Sequence, residues 1–172
     1  MKLPRLAAAL GVLVFLAGVA WLAAGQKVSR RARTELLPYQ GWVDALSAED
    51  QQRDAQIRAA LREAERGRAA NKTWPNRFLT EPGVEWLERS HGLYVNYLGI
   101  PAAPTRSRWL VLIIEPEPAA LKDKPAPEDD EHHTLADGTA LHVTVWSAPN
   151  QGAVPQVVLP FPAAEGWTQR LR

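Results

Sequence analysis

The sequence predicts an α+β fold: an N-terminal transmembrane helix, then helices packed on a small antiparallel sheet of about four strands. Three features lead there. Leu6 to Ala24 is an uncharged apolar run, Ala48 to Arg66 is dense in strong helix formers, and the chain after Gly92 holds several short runs of branched and aromatic residues. With 172 residues, the chain past the apolar run is of a size for one core rather than two. The expected organisation is an anchor over 1–25, a tether over 26–46 and a single α+β domain over 47–172.

The twenty-one residues between Arg5 and Lys27 carry no charge. At about 1.5 Å rise per residue they match a hydrocarbon core of about 30 Å. Trp21 sits near one boundary, where an amphipathic ring is favoured. A cleaved signal peptide is the competing reading, with Met1 to Arg5 as its basic start, but the apolar run exceeds the usual signal length of about 7 to 15 residues. Lys27, Arg30, Arg31 and Arg33 after the run would by simple charge counting hold the domain in the cytoplasm. Long domains translocate largely regardless of charge, so the expectation is a single-pass inner-membrane protein of a bacterial envelope with its domain in the periplasm.

Ser47 followed by Asp50 resembles a capping box, and Gly67 supplies a stop, which predicts a helix from Ala48 to Arg66. Its apolar stripe is narrow (Ile57, Leu61, Ala64). Glu49 with Arg53, and Asp54 with Arg58, are i,i+4 pairs that suit an exposed face. Thr80 as N-cap, Pro82 in the first turn and Gly92 beyond the end predict a second helix over Pro82 to Ser90. Strands are expected at Leu93–Leu98, Trp109–Ile114 and Leu141–Trp146. Val157–Phe161 is a further candidate, confined to an edge by Pro155, Pro160 and Pro162. Glu115 to Asp130, rich in proline and charge, reads as an exposed loop. The expected core includes Trp109, Leu112, Ile114, Val143 and Val145.

Composition removes several function classes. The net charge is +1 with acids and bases interspersed, so no electrostatic footprint for nucleic acid is present. The absence of cysteine excludes disulfides, thiol catalysis and cysteine-based zinc sites. There is no phosphate-cradling loop, dinucleotide fingerprint, serine elbow or metalloprotease helix. Glu85 and Glu88, placed together on one face of the second helix, and the neighbours Ser90 and His91 do not amount to a catalytic set, and no enzyme activity is expected.

The segment that invites chemistry is Glu131 to Trp146, where Asp137-Gly138 separates two strand-like runs in a strong hairpin signal. A two-residue turn places His133 opposite His142 in a close, non-hydrogen-bonded pair. A three-residue turn with Gly138 in a bulge slips the register, and His132 then faces His142. The first register is preferred because it puts Leu141, Val143 and Val145 on one face and Glu131, His133 and His142 on the other. His133, His142, Glu131 and His132 are therefore candidate ligands for a divalent transition metal, zinc or copper, with His91 as a more distant addition. An edge kept soluble by its histidines is the plainer reading of the same residues.

These features predict a membrane-anchored, non-catalytic accessory protein whose histidine hairpin binds metal in support of metal transport, with a transporter as its envelope partner. The alternative is a structural subunit of an envelope assembly for secretion, pilus formation or division.

Overall fold

The computed structural model describes residues 36–116 and 131–172, and Leu37–Arg172 forms one compact unit. Among these described residues seven strands make one mixed sheet with a single α-helix beside it. In chain order these are β1 (Gln40–Trp42), α1 (Ala48–Asn71), β2 (Val84–His91), β3 (Tyr94–Pro101), β4 (Arg108–Ile114), β5 (His132–Thr134), β6 (Ala140–Ala148) and β7 (Thr168–Leu171). Across the sheet the order is β1-β7-β6-β4-β3-β2, and β5 pairs with β6 beyond the end of β7. All neighbours are antiparallel except β1 and β7.

This corrects the expected fold in three respects. The sheet has seven strands rather than four, and it is mixed. Only one α-helix is present among the described residues, because Val84–His91 is a strand and not the second helix expected over Pro82 to Ser90. Pro82-Gly83 makes a tight turn, with Gly83 at φ 70° and the Val84 N–H donating to Glu81 O at 3.3 Å. Residues 92–93 are likewise a hairpin turn that sends β2 into β3, with His91 paired to Tyr94. Finally, no helix among the described residues is long and apolar enough to cross a membrane. Leu6–Ala24, the expected membrane segment, lies outside those residues. The transmembrane helix, and the single-pass inner-membrane location that depends on it, therefore find no support in this fold.

Helix α1 starts where expected, with Ser47 Oγ accepting from the Asp50 N–H at 3.1 Å. It continues through Gly67 to Asn71 and ends with Lys72 in the left-handed region. Contacts beyond the glycine carry it on, since Ala69 packs on the core and Arg68 holds Glu115 at 3.1 Å. Ile57, Leu61 and Ala64 bury against one sheet face, formed by Val95, Tyr97, Trp109, Val111, Ile113, Leu141, Val143 and Val145. Complete burial of a side chain such as Ile57 contributes about 1.5–3 kcal/mol.

The opposite face carries Leu98, Leu110, Leu112, Ile114 and Trp146, and the chain between β6 and β7 folds over it through Leu159 and Trp167. The expected strand over Val157–Phe161 is part of this covering and joins no sheet. Two buried polar groups fasten it. Asn96 Oδ1 accepts from the Leu159 N–H at 2.6 Å, and Arg108 donates to Asn150 Oδ1, Gly152 O and Ala153 O at 2.7, 2.8 and 3.1 Å.

Candidate functional site

The β5–β6 hairpin forms, but in the slipped register. Leu135 N–H donates to Thr139 O at 2.9 Å, Gly138 takes φ 84°, and Asp137 Oδ1 accepts from the Thr139 N–H at 3.1 Å. The turn therefore spans residues 136–138, with glycine in the left-handed position that a bulge demands. Consequently His132 pairs with His142, His133 with Leu141 and Thr134 with Ala140.

That one-residue slip divides the four candidate ligands. His132 and His142 lie on the sheet face away from α1, their rings edge to face with centroids 5.5 Å apart. His133 points the other way and binds Glu65 of the helix through Nδ1 at 2.5 Å. Glu131 accepts a hydrogen bond from Gln169 Nε2, while its backbone carbonyl accepts from the Val143 N–H at 2.7 Å. The expected grouping of Glu131, His133 and His142 on one face does not occur. Among the described residues no group of three or more histidine, aspartate or glutamate side chains is arranged to hold a metal ion. The expected grouping is corrected by the pleat, since adjacent residues on a strand face opposite sides.

His91 lies at the end of β2, three strands removed from β6 in the sheet order. There it lines a groove of about 510 Å³ together with Glu88, Arg89, Ser90, Gln156, Val157 and Val158. Ser90 and His91 are consecutive in β2 and so face opposite sides of the sheet. The same alternation separates Glu85 from Glu88, which a helix would have placed together.

The strand beneath this groove is the feature that sequence reasoning missed. Among the described residues β2 is outermost in the sheet, eight residues long, and paired along its length with β3 alone, apart from an isolated bridge between Val84 and Glu81. Its turn is two residues long, so His91 and Tyr94 form a hydrogen-bonded pair and bonding alternates from there. The N–H and C=O groups of Trp86, Glu88 and Ser90 consequently point away from β3, as does the carbonyl of Val84. On the face turned from α1, β2 presents Glu85, Leu87, Arg89 and His91. Glu88, on the helix side, sits opposite Tyr97, whose phenol is pushed well above its usual range by burial and by that carboxylate.

Trp86 fixes the strand to the sheet. Its ring covers Gly99, where a Cβ would lie 2.7 Å from the indole, and it packs against Phe78 with centroids 4.9 Å apart. The chain matches no protein-family model, no curated protein and no solved structure.

Proposed function

We propose that this chain is a non-catalytic accessory component of a protein assembly, which acts by docking a partner's extended segment along β2. The observation that carries this reading is the outer side of β2, an eight-residue edge strand with a ladder of outward main-chain groups beside an open groove. Edges of this length are usually blunted by shortening, proline or a covering element, because they accept another strand. Strand addition draws affinity from the main chain and selectivity from alternate side chains entering pockets. Here the groove lies where side chains of an added strand would fall next to Arg89 and His91.

The disposition of the charged groups supports a binding role. Many of them are engaged in holding the domain together: Arg53 and Arg106 both bind Glu81, Arg58 and Arg172 both bind Asp54, and Arg68 binds Glu115.

The reading is tested with a photo-reactive residue in place of Ser90, and a second in place of the exposed Glu63 on α1, irradiated in cells. Discrete adducts are expected from position 90 and not from 63. They should disappear when Glu88→Pro removes an outward donor while sparing the bonds to β3. Adducts that persist unchanged in a folded Glu88→Pro protein, or that form only from position 63, would overturn the assignment.

A further inference from the structure

We infer that the strand received by β2 is β2 of a second copy of this chain, antiparallel and related by a two-fold axis through Leu87. The inference rests on the docking role of β2 proposed above and names its partner.

Self-pairing is constrained by the main chain. Only Val84, Trp86, Glu88 and Ser90 direct groups outward, so a two-fold must place residues of that set opposite one another. Within the strand the axis can then pass through any residue from Glu85 to Arg89. Axes at Glu85, Glu88 or Arg89 set like charges directly opposite, which is destabilising. An axis at Trp86 puts Glu85 against Leu87 and leaves Arg89 facing the Pro82-Gly83 turn.

The axis at Leu87 behaves differently. It pairs Leu87 with itself, Trp86 with Glu88, and Glu85 with Arg89, each of the last two occurring twice by symmetry. Glu85 and Arg89 then occupy non-hydrogen-bonded positions on one face, where Cβ atoms approach to about 4.5–5.5 Å. About six main-chain hydrogen bonds close the junction, the Val84 N–H being already committed to Glu81 O. The contact is isologous, as a closed dimer requires, and it would make the two sheets continuous.

The partners of these two charges point the same way. Arg89 Nε is buried and has no hydrogen-bond partner among the described residues, and neither Glu85 nor Arg89 takes part in an ion pair there. A second copy would bring a carboxylate to each Arg89, at the rim of the groove that this arginine lines.

Sedimentation equilibrium on the full chain tests the proposal through charge exchange. The wild type should dimerise, while Glu85→Arg and Arg89→Glu should each weaken self-association at low salt by about tenfold or more. The double exchange should recover the dimer, and an equimolar mixture of the two single variants should form a heterodimer, since mixing restores opposite charges at both positions. Those recoveries separate lost pairing from lost folding. A wild type that stays monomeric at tens of micromolar, or folded single variants that neither mix nor recover on double exchange, would overturn the dimer. If position 90 then still crosslinks to a different protein in a manner abolished by Glu88→Pro, the docking role of β2 stands and only its partner is reassigned.

Discussion

At one end of the sheet β1 runs for three residues alongside β7, while at the other β2 runs for eight with no strand along its outer side among the described residues. The β1 end is held by many side chains from distant parts of the chain. Gln40 Nε2 donates to Gln169 Oε1 at 3.1 Å, Tyr39 stacks on Trp146, and Arg170 Nε donates to Ser147 Oγ at 2.8 Å. Beneath them Asp54, fully buried, accepts from Arg58 at 3.1 Å and from Arg172 at 2.8 Å, and Arg58 reaches the Arg170 carbonyl at 2.9 Å. At the β2 end Glu85 and Arg89 have no such engagements among the described residues. One edge has its charges consumed by the fold, and the other keeps a pattern complementary to itself. Short, tied-down edges resist association, and long unengaged ones promote it.

The strongest way to break the tied end is Asp54→Ala. It leaves Arg58, only 9 % exposed, without its counter-charge, whereas Arg172 can turn toward solvent. Removing one partner of a buried pair costs about 3–5 kcal/mol. Urea unfolding should show a loss of that order, and the self-association of β2 should be unchanged in whatever fraction remains folded. A loss under about 1 kcal/mol would mean that the network is incidental to the fold.

The contrast between the ends is only partly legible in the sequence. Trp109–Ile114 announces itself as a strand by a continuous apolar run that suits a sheet covered on both faces, and Leu141–Trp146 by its alternation. Ser47 announces the helix start through its own capping chemistry. By contrast, Asp54 and Arg58 look like a solvated i,i+4 pair, and only the arrival of Arg170 and Arg172 from the far end of the chain shows that they are buried. β1 and β7 are too short to be read without one another.

β2 is hidden for a different reason. Pro82 and Gly92 punctuate a helix and a strand equally well, and Glu85, Glu88 and Arg89 have helical spacing. Only pairing with Tyr94–Pro101 decides the matter, and that is a tertiary outcome. The histidine hairpin departs from expectation by a single residue, since Asp137-Gly138 suits both a two-residue turn and a bulged three-residue one. That residue determines whether His132 or His133 faces His142, and with it whether the candidate ligands share a face.

A smaller perturbation acts on the open end. Gly99 of β3 lies under the Trp86 ring, and Gly99→Ala would bring a methyl to 2.7–2.9 Å from three indole atoms. The ring must move, and β2 with it. Overpacking of this kind costs about 1–3 kcal/mol. Thermal unfolding should register that loss together with a change in tryptophan fluorescence, and dimer affinity should fall because the strand that carries the axis is displaced. Unchanged affinity alongside the stability loss would separate the packing of Trp86 from the geometry of the edge.

The smallest effect belongs to an exposed tie beside the closed end, where Lys72 Nζ reaches Asp137 Oδ2 at 2.6 Å and joins the end of α1 to the hairpin tip. Hydrogen bonds from Lys72 and then Thr139 hold the Asp137 carboxyl well below its usual range. A carboxyl depressed in the folded state adds stability that is present above its unfolded pKa, near 3.9, and is lost as the pH falls toward the folded value. Asp137→Asn should therefore be slightly less stable than the wild type at neutral pH. The gap should close progressively below about pH 4, as followed by urea midpoints across an acid series. High salt should narrow the neutral-pH gap as well, because Lys72 is open to solvent. Such behaviour would rank this tie with ordinary surface pairs and leave the buried Asp54 network as what distinguishes the closed edge from the open one. A gap that held constant from about pH 7 to about pH 2 would instead assign the role of Asp137 to turn geometry, through the Thr139 N–H alone.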